Sequence, residues 1–355
     1  MIKNKTLIYS PSQGVWGGGQ IYIEQLCDYM NNRGIVTYVL TADPEKFSCQ
    51  VKRMGDVISK RKRFLSSIMI ARKYRKDGFD TIILNDLSSL WLAPVFHLFG
   101  YKVISLLHLY LQKKSVNPLG HSWIEYCLFQ FSINFCDDVF SVNKDNQKVF
   151  PKKKIDFIGN YVPDWFFDAP RYRGDERYDF ILIARFSKQK NIPLFLDLLA
   201  QMNDRLDRTY NALIVGEGPE YEDIQNRIKI KGLQDNIKLE KWVERTSLPS
   251  LYDRGKCFVI SSYHEGFATT LLEAHARGIP AVVTRSSGFC GEFVEGYNTS
   301  TGIVFEPMEL TDPMLYEKLE TLIKNHEVYK DLCITKAKIF SEVNVLDPII
   351  KAVKR

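Results

Sequence analysis

Residues 258–284 read FVISSYHEGFATTLLEAHARGIPAVVT, which is an apolar run, a polar loop, a helical segment and a second apolar run. The apolar runs predict strands over 258–262 and 281–284, and the segment between them predicts a helix that begins near Ala268. Gly266 interrupts the backbone before that helix, so we expect Glu265 in the loop and Glu273 one to two turns inside the helix. A strand, a helix and a strand in this order are typical of a parallel α/β sheet.

The same alternation of predicted strands and helices extends over the rest of the chain. Runs rich in β-branched and aromatic residues, without strict alternation, fit strands that are buried on both faces of a parallel sheet. They lie at 6–10, 35–42, 81–85, 103–108 and 139–142 in the first half, and at 180–184, 212–215, 237–240 and 303–305 in the second. We therefore predict an α/β chain with one domain over 1–163, a second over 164–340, and a C-terminal helix over 341–355 that packs back on the first domain.

Composition excludes several classes of protein. The chain has 355 residues, 45% hydrophobic and 25% charged, which is typical of a folded soluble protein. Its seven cysteines form no C-x-x-C pair, so neither a disulfide framework nor a metal site is expected. The N-terminus lacks a signal-peptide pattern, and the apolar window over 90–111 is broken by Pro94, Gly100 and Lys102. We interpret that window as a helix followed by a buried strand, in a cytoplasmic protein.

Charge is distributed unevenly along the chain. Residues 1–165 carry 22 basic and 14 acidic side chains, whereas residues 166–355 carry 26 and 28. A basic run interleaved with apolar residues fits a helix on an anionic membrane surface, although an ordinary helix with a solvated face remains the alternative. Nucleic acid is not expected as a partner, because no reader motif accompanies the charge. The basic run consists of Lys52, Arg53, Lys60, Arg61, Lys62, Arg63, Arg72, Lys73, Arg75 and Lys76.

Two glycine-rich turns follow predicted strands. Gly17-Gly18-Gly19 comes between the first strand and a helical segment, and Gly216-Glu217-Gly218-Pro219 follows the strand over 212–215. Glycines at a helix start let backbone amides approach an anion. The spacing of Gly17-Gly18-Gly19 is neither a dinucleotide nor a Walker A motif, so a plain tight turn explains it as well.

Two basic residues lie close together in the second half of the chain, at a predicted strand-to-helix turn. Arg185 ends a predicted strand, and Lys190 stands near the start of the following helix. This arrangement suits a diphosphate, and a solvated basic turn is the alternative. Because Glu265 is expected in the loop and Glu273 inside the helix, they should not be adjacent, which argues against the paired carboxylates of a glycosidase. They fit one acid near each end of an elongated ligand, with Thr269 and Thr270 between them at the helix start.

Glu265 and Glu273 together resemble the E-x7-E motif of family 4 nucleotide-sugar glycosyltransferases. That family has the GT-B fold, in which two Rossmann-like domains face each other across a cleft. The resemblance spans nearly the whole chain and includes features beyond the motif. These are Gly17-Gly18-Gly19, His108, the Asn160–Pro163 seam, Arg185, Lys190, Gly216-Glu217-Gly218-Pro219 and Glu273-Ala274-His275-Ala276-Arg277-Gly278-Ile279-Pro280.

The resemblance implies a role for each of these positions. Arg185 and Lys190 would neutralise the diphosphate leaving group, Glu265 and His108 would contact the transferred sugar, and Glu273 would bind the ribose. The remaining donor contacts it implies are Gly18, Gly19, Gly216, Trp242, Val243, Gly266, Phe267, Ala268, Thr269 and Thr270. The chain departs from the family at Asn191 and Lys241, where glycine is common, and at 268–270, which leaves the base and sugar preference open.

We therefore expect a retaining, metal-independent glycosyltransferase that needs no cofactor beyond its donor. The donor would be a nucleotide diphosphate sugar, with a UDP-sugar favoured over a GDP-sugar, and the acceptor a lipid-linked surface glycan. Two alternatives remain at this stage. A sugar-nucleotide epimerase can share the architecture but acts without an acceptor, and a non-catalytic subunit of a polysaccharide assembly complex would bind without turnover.

Overall fold

The computed structural model describes residues 5–11, 18–41, 44, 48–53, 60–108, 122–296 and 299–355, and at 51–53, 60–64 and 88 it describes the backbone only. The chain divides into two compact units. The first unit comprises residues 1–159 and 343–355, and the second comprises residues 160–342. Both are α/β units with a parallel sheet, which confirms the predicted two-domain α/β class.

The first unit is built on a seven-stranded sheet of order β3-β2-β1-β4-β5-β6-β7. Its strands are β1 Lys5–Tyr9, β2 Val36–Thr41, β3 Val51–Arg53, β4 Thr81–Asn85, β5 Lys102–Leu107, β6 Asp138–Ser141 and β7 Asp156–Phe157. Its helices up to the seam are α1 Gly18–Asn32, α2 Lys60–Lys76, α3 Leu87–Leu90, α4 Ala93–Leu98, α5 Trp123–Ser132 and α6 Asn146–Val149. The apolar window over 90–111 thus contains helix α4 and the buried strand β5, as predicted for the part that the structure describes.

The second unit is built on a six-stranded sheet of order β10-β9-β8-β11-β12-β13. Its strands are β8 Tyr178–Ile183, β9 Ala212–Val215, β10 Ile237–Glu240, β11 Gly255–Ile260, β12 Ala281–Thr284 and β13 Gly302–Phe305. Its helices are α7 Trp165–Asp168, α8 Ile192–Arg205, α9 Tyr221–Ile230, α10 Leu248–Tyr252, α11 Thr269–Ala276, α12 Phe289–Glu295, α13 Pro313–Lys324 and α14 Lys330–Ile339. Side chains of α8, α9 and α13 close one face of the sheet in a continuous apolar core.

The last helix, α15 Glu342–Lys354, packs within the first unit. The Tyr29 hydroxyl donates a hydrogen bond to Oδ1 of Asp347 at 2.8 Å, and Nζ of Lys102 donates to the Ala352 carbonyl at 2.6 Å. These polar contacts accompany a buried stripe of the helix that includes Leu346 and Ile349. The chain therefore returns to its first unit after completing the second.

The seam residues 160–163 pack with the second unit. The Val162 amide donates to the Phe340 carbonyl at 3.0 Å, and the Asn160 side chain donates to the Phe267 carbonyl. The division therefore falls after residue 159 and after residue 342, against predicted boundaries at 163 and 340.

The basic run from Lys52 to Lys76 does not lie in a single helix. Residues 51–53 form β3, which pairs with β2 at the edge of the first sheet, and the helix α2 begins only at Lys60. A three-residue edge strand is too short to show a period in the sequence. The side chains of Lys52, Arg53 and 60–63 lie outside the described residues. No helix in the described part of the chain is long and apolar enough to cross a bilayer.

Candidate functional site

The order of the second sheet places one point of reversal between β8 and β11. The chain runs from β8 to β9 and β10 on one side, and then returns to β11 on the other side of β8. In open parallel sheets ligands bind beyond the carboxyl ends of the strands at such a reversal, because the loops there diverge. Lys190 comes from the loop after β8, and Glu265 from the loop after β11.

Lys190 and Glu265 meet at this point although 75 residues separate them in the chain. Nζ of Lys190 donates to Oε1 of Glu265 at 2.5 Å, and the Ser262 hydroxyl donates to the same oxygen at 2.7 Å. The Glu265 side chain is only 11% exposed. Both hydrogen bonds from described residues end on Oε1, so Oε2 keeps its acceptor sites.

Three hydrogen bonds to backbone carbonyls hold the two loops together around this ion pair. The Tyr263 amide donates to the Gln189 carbonyl at 2.9 Å, and the Gln189 side chain donates to the His264 carbonyl at 2.9 Å. The Ser261 hydroxyl donates to the Lys190 carbonyl at 2.9 Å. The ion pair is therefore held in place before any ligand binds, which is the preorganisation that a charged site needs.

A small, partly open pocket lies beside the ion pair. The ends of β8 and β11 form its floor, and its polar lining comes from Lys190, Ser261, Ser262, Glu265 and Thr270. The first turn of α11 is at one wall, where helix amides lack carbonyl partners within the helix. A cation, a carboxylate and a helix N-terminus together suit a ligand with both anionic and hydroxyl groups.

Glu273 lies one turn inside α11, as predicted for the helix that follows Gly266. Its Oε2 accepts a hydrogen bond from the Tyr252 hydroxyl at 2.8 Å, and the residue is buried. Burial raises the pKa of the Glu273 carboxyl above its ordinary value, and the Arg245 charge and the Tyr252 hydrogen bond partly oppose this. The two acids therefore have different surroundings.

Arg185 follows β8 and is exposed, with no hydrogen bond or ion pair to the residues that the structure describes. Its charge is available to a ligand at the turn. Asn191, where the family commonly has glycine, adopts the left-handed conformation with φ of 45° at the start of α8. Asparagine is one of the few side chains that tolerate this region, so the departure from glycine keeps the turn intact.

Gly216 and Gly218 have a packing role that explains them without a ligand. Gly216 is buried with φ of 153°, and a Cβ there would lie 1.9 Å from the Ala184 carbonyl oxygen. A Cβ on Gly218 would lie 2.2 Å from the Phe186 carbonyl oxygen. The glycines let the turn after β9 pack directly against the turn that carries Arg185. A donor contact by Gly216 remains a prediction.

We expect Gly216→Ala to lower the free energy of unfolding by about 2–4 kcal/mol, because the new Cβ would overlap backbone that cannot move aside. Gly232→Ala is the matched control, since Gly232 also has positive φ (66°) but has no atom within 4 Å of the new Cβ. That control should cost only about 1 kcal/mol. Urea unfolding of both variants measures the difference, and equal losses would contradict the packing role.

The other predicted donor contacts of the second unit fall into two groups. Trp242 is exposed and Val243 partly exposed in the loop after β10. Gly266, Ala268, Thr269 and Thr270 are partly exposed around the start of α11. Phe267 differs, because its ring is buried against Phe289, Phe293 and Phe340, so it anchors the loop by packing.

In the first unit, His108 and Gly19 lie next to each other. His108 follows β5, and a Cβ on Gly19 at the start of α1 would lie 4.0 Å from Cδ2 of the His108 ring. Nε2 of His108 is buried with no hydrogen-bond partner among the described residues. Burial lowers the pKa of His108, and the nearby Asp86 carboxylate opposes this. Gly18 is exposed at the helix start, and Gly17 lies outside the described residues.

Sequence reasoning missed three contributors. Ser262 shares Oε1 of Glu265 with Lys190, Tyr252 bonds Glu273, and Asp86 follows β4 with φ of 65°. A positive φ on a residue other than glycine is strained, and such strain concentrates at functional sites. Of these three residues, only Ser262 could have been found from the sequence, because it lies three residues before Glu265 in the same predicted loop. Within the described ranges, no three His, Cys, Asp or Glu side chains group as a metal site would.

Residues 165–338 match the family model described as Glycosyl transferases group 1. Alpha-D-kanosaminyltransferase of Streptomyces kanamyceticus is 23% identical over 188 residues, which are 50% of this chain and 47% of that protein. The lipopolysaccharide core biosynthesis mannosyltransferase LpsB of Rhizobium meliloti is 33% identical over 133 residues, 36% of each chain. The chain therefore matches about a third to a half of the length of these relatives. The family match thus covers just under half of the chain, all of it in the second unit, and both relatives are glycosyltransferases by name.

Among solved structures, Anabaena Alr3699/HepE in complex with UDP is similar over 99% of both chains, with a TM-score of 0.79 and 16% identity. This likeness confirms the predicted GT-B fold. The narrower assignment to family 4 stays a prediction.

Proposed function

We propose that the chain is a retaining, metal-independent glycosyltransferase that moves a sugar from a nucleotide diphosphate sugar to a lipid-linked glycan. The observation that carries the proposal is the Lys190–Glu265 ion pair at the reversal point of the second sheet. The retaining course follows from the resemblance to family 4. The lipopolysaccharide relative supports the acceptor class, since its name assigns it to the synthesis of a lipid-anchored glycan.

Lys190 and Arg185 stabilise the leaving group. Negative charge develops on the departing diphosphate as the glycosidic bond breaks, and fixed cations aimed at that charge lower the barrier. Lys190 is held by Glu265 and its loop, and Arg185 is exposed at the same turn. These side chains take the place of the divalent cation that other enzymes use for the same purpose.

Glu265 and Glu273 contact different parts of the donor. Oε2 of Glu265 is oriented by the two hydrogen bonds on Oε1 and accepts from a sugar hydroxyl. Glu273, fixed by Tyr252, accepts from the ribose hydroxyls. The amides at the start of α11 contact the phosphates between them. The UDP bound by the Anabaena neighbour supports a uridine donor.

The test is a panel of UDP, GDP, ADP and their sugar conjugates, titrated into the full chain and measured by thermal unfolding. A ligand that binds only the folded state raises the apparent melting temperature by mass action. We expect one nucleotide series, UDP first, to stabilise the wild type and to act more weakly on Glu273→Gln. A protein that responds to no member of the panel would contradict the proposal.

The membrane side of the proposal rests on exposed apolar side chains of the first unit. On α5, Trp123 and Ile124 are 74% and 73% exposed, and Leu128 and Phe131 continue the same face one and two turns on. Two neighbouring helices add three more, which are Leu65 and Met69 on α2 and Leu98 on α4. Apolar groups clustered on one surface indicate an interaction site.

These helices share one face of the sheet. The crossovers from β3 to β4, from β4 to β5 and from β5 to β6 all run in the same direction along the sheet. Right-handed crossovers in one direction put their helices on one face. Helix α2 packs on α4, and α4 packs on the turn that continues α5. The exposed cations Arg72, Lys73, Arg75 and Lys76 on α2 supply the charge that anionic lipid attracts.

We expect Trp123→Ser combined with Ile124→Ser to weaken binding to phosphatidylglycerol vesicles at least about tenfold, because two large apolar side chains leave the interface. The matched control is Ile230→Ser with Met308→Ser, two side chains of the second unit that are 83% and 79% exposed. Vesicle co-sedimentation measures both.

Binding should also fall with salt, as the Debye length shortens from about 10 Å at 0.1 M to about 3 Å at 1 M. Equal losses in both pairs of variants, or no vesicle binding by the wild type, would contradict the membrane proposal. A soluble acceptor would then replace the lipid-linked one.

A further inference from the structure

A second pocket of the second unit lies at the opposite edge of its sheet from Lys190 and Glu265. Arg177 comes directly before β8, Arg254 directly before β11, and Arg277 shortly before β12. Because the strands are parallel, their amino ends share one edge. The pocket has a volume of about 350 Å³ and is partly open to solvent.

The lining is rich in cations. Six basic side chains, which are Arg171, Arg177, Arg254, Lys256, Arg277 and Lys330, face two carboxylates, Asp253 and Glu327. Three further carboxylates pair with Arg254 and Lys256 from outside the lining, but they also pair with Lys238 and Arg208. Positive charge therefore exceeds negative charge over the whole network.

The hydrogen-bond donors of Arg277 are all used within the fold. Its guanidinium is buried, bonds both oxygens of Asp253 at 2.9 and 2.7 Å, and donates to the carbonyls of Phe166, Ala169 and Pro170. This use of its donors explains why an arginine stands there without any ligand. The remaining cations are not explained in the same way.

Arg177 carries charge that no described carboxylate neutralises, and Lys330 makes only a loose ion pair. The Arg177 guanidinium donates only to the carbonyls of Asp253 and Tyr172, so none of the described carboxylates neutralises it. Nζ of Lys330 is 3.8 Å from the nearest Glu327 oxygen, beyond hydrogen-bond distance. Both side chains line the pocket from different elements.

Arg254 is a cation that the fold holds in place at a cost. The residue is 8% exposed, and its Nε is buried with no hydrogen-bond partner among the residues that the structure describes. An unpaired buried donor lowers stability, so the position of this guanidinium is not explained by its contribution to the fold alone. Arg254 lines the same pocket as Arg177 and Lys330.

We propose that this pocket binds the phosphate group of a small water-soluble ligand. A phosphate offers several acceptor oxygens in different directions, which matches guanidinium and ammonium donors arriving from three elements. A lipid phosphate fits less well, because none of the lining residues is an exposed large hydrophobic side chain. The site is separate from the proposed donor pocket and does not depend on its function.

The test is calorimetric titration of inorganic phosphate into the full chain at constant ionic strength, balanced with KCl. Arg177→Gln combined with Lys330→Gln should weaken binding at least about tenfold, because two charge-assisted contacts are lost. The matched control is Lys229→Gln with Lys318→Gln, which removes the same charge from exposed positions on α9 and α13 that do not line the pocket. Arg185→Ala tests the donor pocket, and we expect it to bind phosphate like the wild type.

Lys330→Gln alone controls for a folding defect, since the ion pair of Lys330 with Glu327 spans 3.8 Å and includes no hydrogen bond. It should melt like the wild type and still bind phosphate more weakly. Several results would overturn the proposal. They are no binding by the wild type, equal binding by the pocket and control variants, loss only in Arg185→Ala, or binding only to phosphatidylcholine vesicles that contain phosphatidic acid.

Discussion

Lys190→Ala should lower kcat/KM for the donor at least about a hundredfold, because it removes a fixed cation from the leaving diphosphate in a partly enclosed site. The same change leaves the 11% exposed Glu265 carboxylate without its cation, so the loss includes the misplacement of that acid. Steady-state release of nucleoside diphosphate measures the effect. Circular dichroism and thermal unfolding show whether the variant is folded.

Lys188→Ala is the matched control for this change. Lys188 lies in the same short turn as Lys190 and carries the same charge, but it is exposed and pairs with no carboxylate of the described residues. It should retain activity within about threefold of the wild type, as surface charges usually contribute little. Near-normal turnover by Lys190→Ala, or equal losses in both variants, would contradict the role of Lys190.

Glu265→Gln should lower kcat about a hundredfold while donor affinity changes little, since its contact is made to the sugar at the reacting centre. Glu273→Gln should instead weaken donor binding about tenfold with a smaller change in kcat, because it acts on the ribose. The division follows from their positions, with Glu265 in the loop beside Lys190 and Glu273 buried on α11 against Tyr252.

The variant Tyr252→Phe tests how much the hydrogen bond from Tyr252 contributes to the function of Glu273. It removes the hydroxyl that bonds Oε2 and leaves the acid in place, so we expect a weaker version of the Glu273→Gln defect. Isothermal titration of the donor product, together with kcat, distinguishes binding from turnover. Identical kinetic profiles for Glu265→Gln and Glu273→Gln would contradict the division of roles.

The central strands were predictable because each is an apolar run that is buried on both faces. The runs at 81–85, 212–215 and 281–284 match the observed strands residue for residue. The run at 237–240 also matches, although β10 lies at the edge of its sheet and is only partly buried. Others are shifted by one to three residues, as for β11, which begins at Gly255 rather than 258. Hydrogen bonding extends a strand into residues such as Lys256, whose polarity hides it from a hydropathy pattern.

The two edge strands of the first sheet were not predictable. Residues 51–53 and 156–157 are two or three residues long and carry no run of apolar side chains. Their strand conformation comes from pairing with β2 and β6, which is a tertiary effect. The basic run therefore gives no sign that Lys52 and Arg53 lie in a strand.

The sequence gives the kinds of residue at the site but not their partners. Lys190 and Glu265 each followed a predicted strand, which was enough to place both at the carboxyl edge of one sheet. Their contact depends on the strand order that makes β8 and β11 neighbours, and no local pattern contains that order. Gly216 shows the opposite case, because a motif glycine turned out to satisfy a packing requirement.

The most direct test of glycosyl transfer is product analysis of the full chain with UDP-, GDP- and ADP-sugars, each with and without a polyprenyl-diphosphate-linked glycan. We predict that one donor releases its nucleoside diphosphate, that the acceptor accelerates this release, and that the sugar appears in the lipid fraction. The Lys190→Ala variant should lose both signals. Donors that stay intact under all conditions, or a donor that is converted to its epimer without acceptor, would contradict the account.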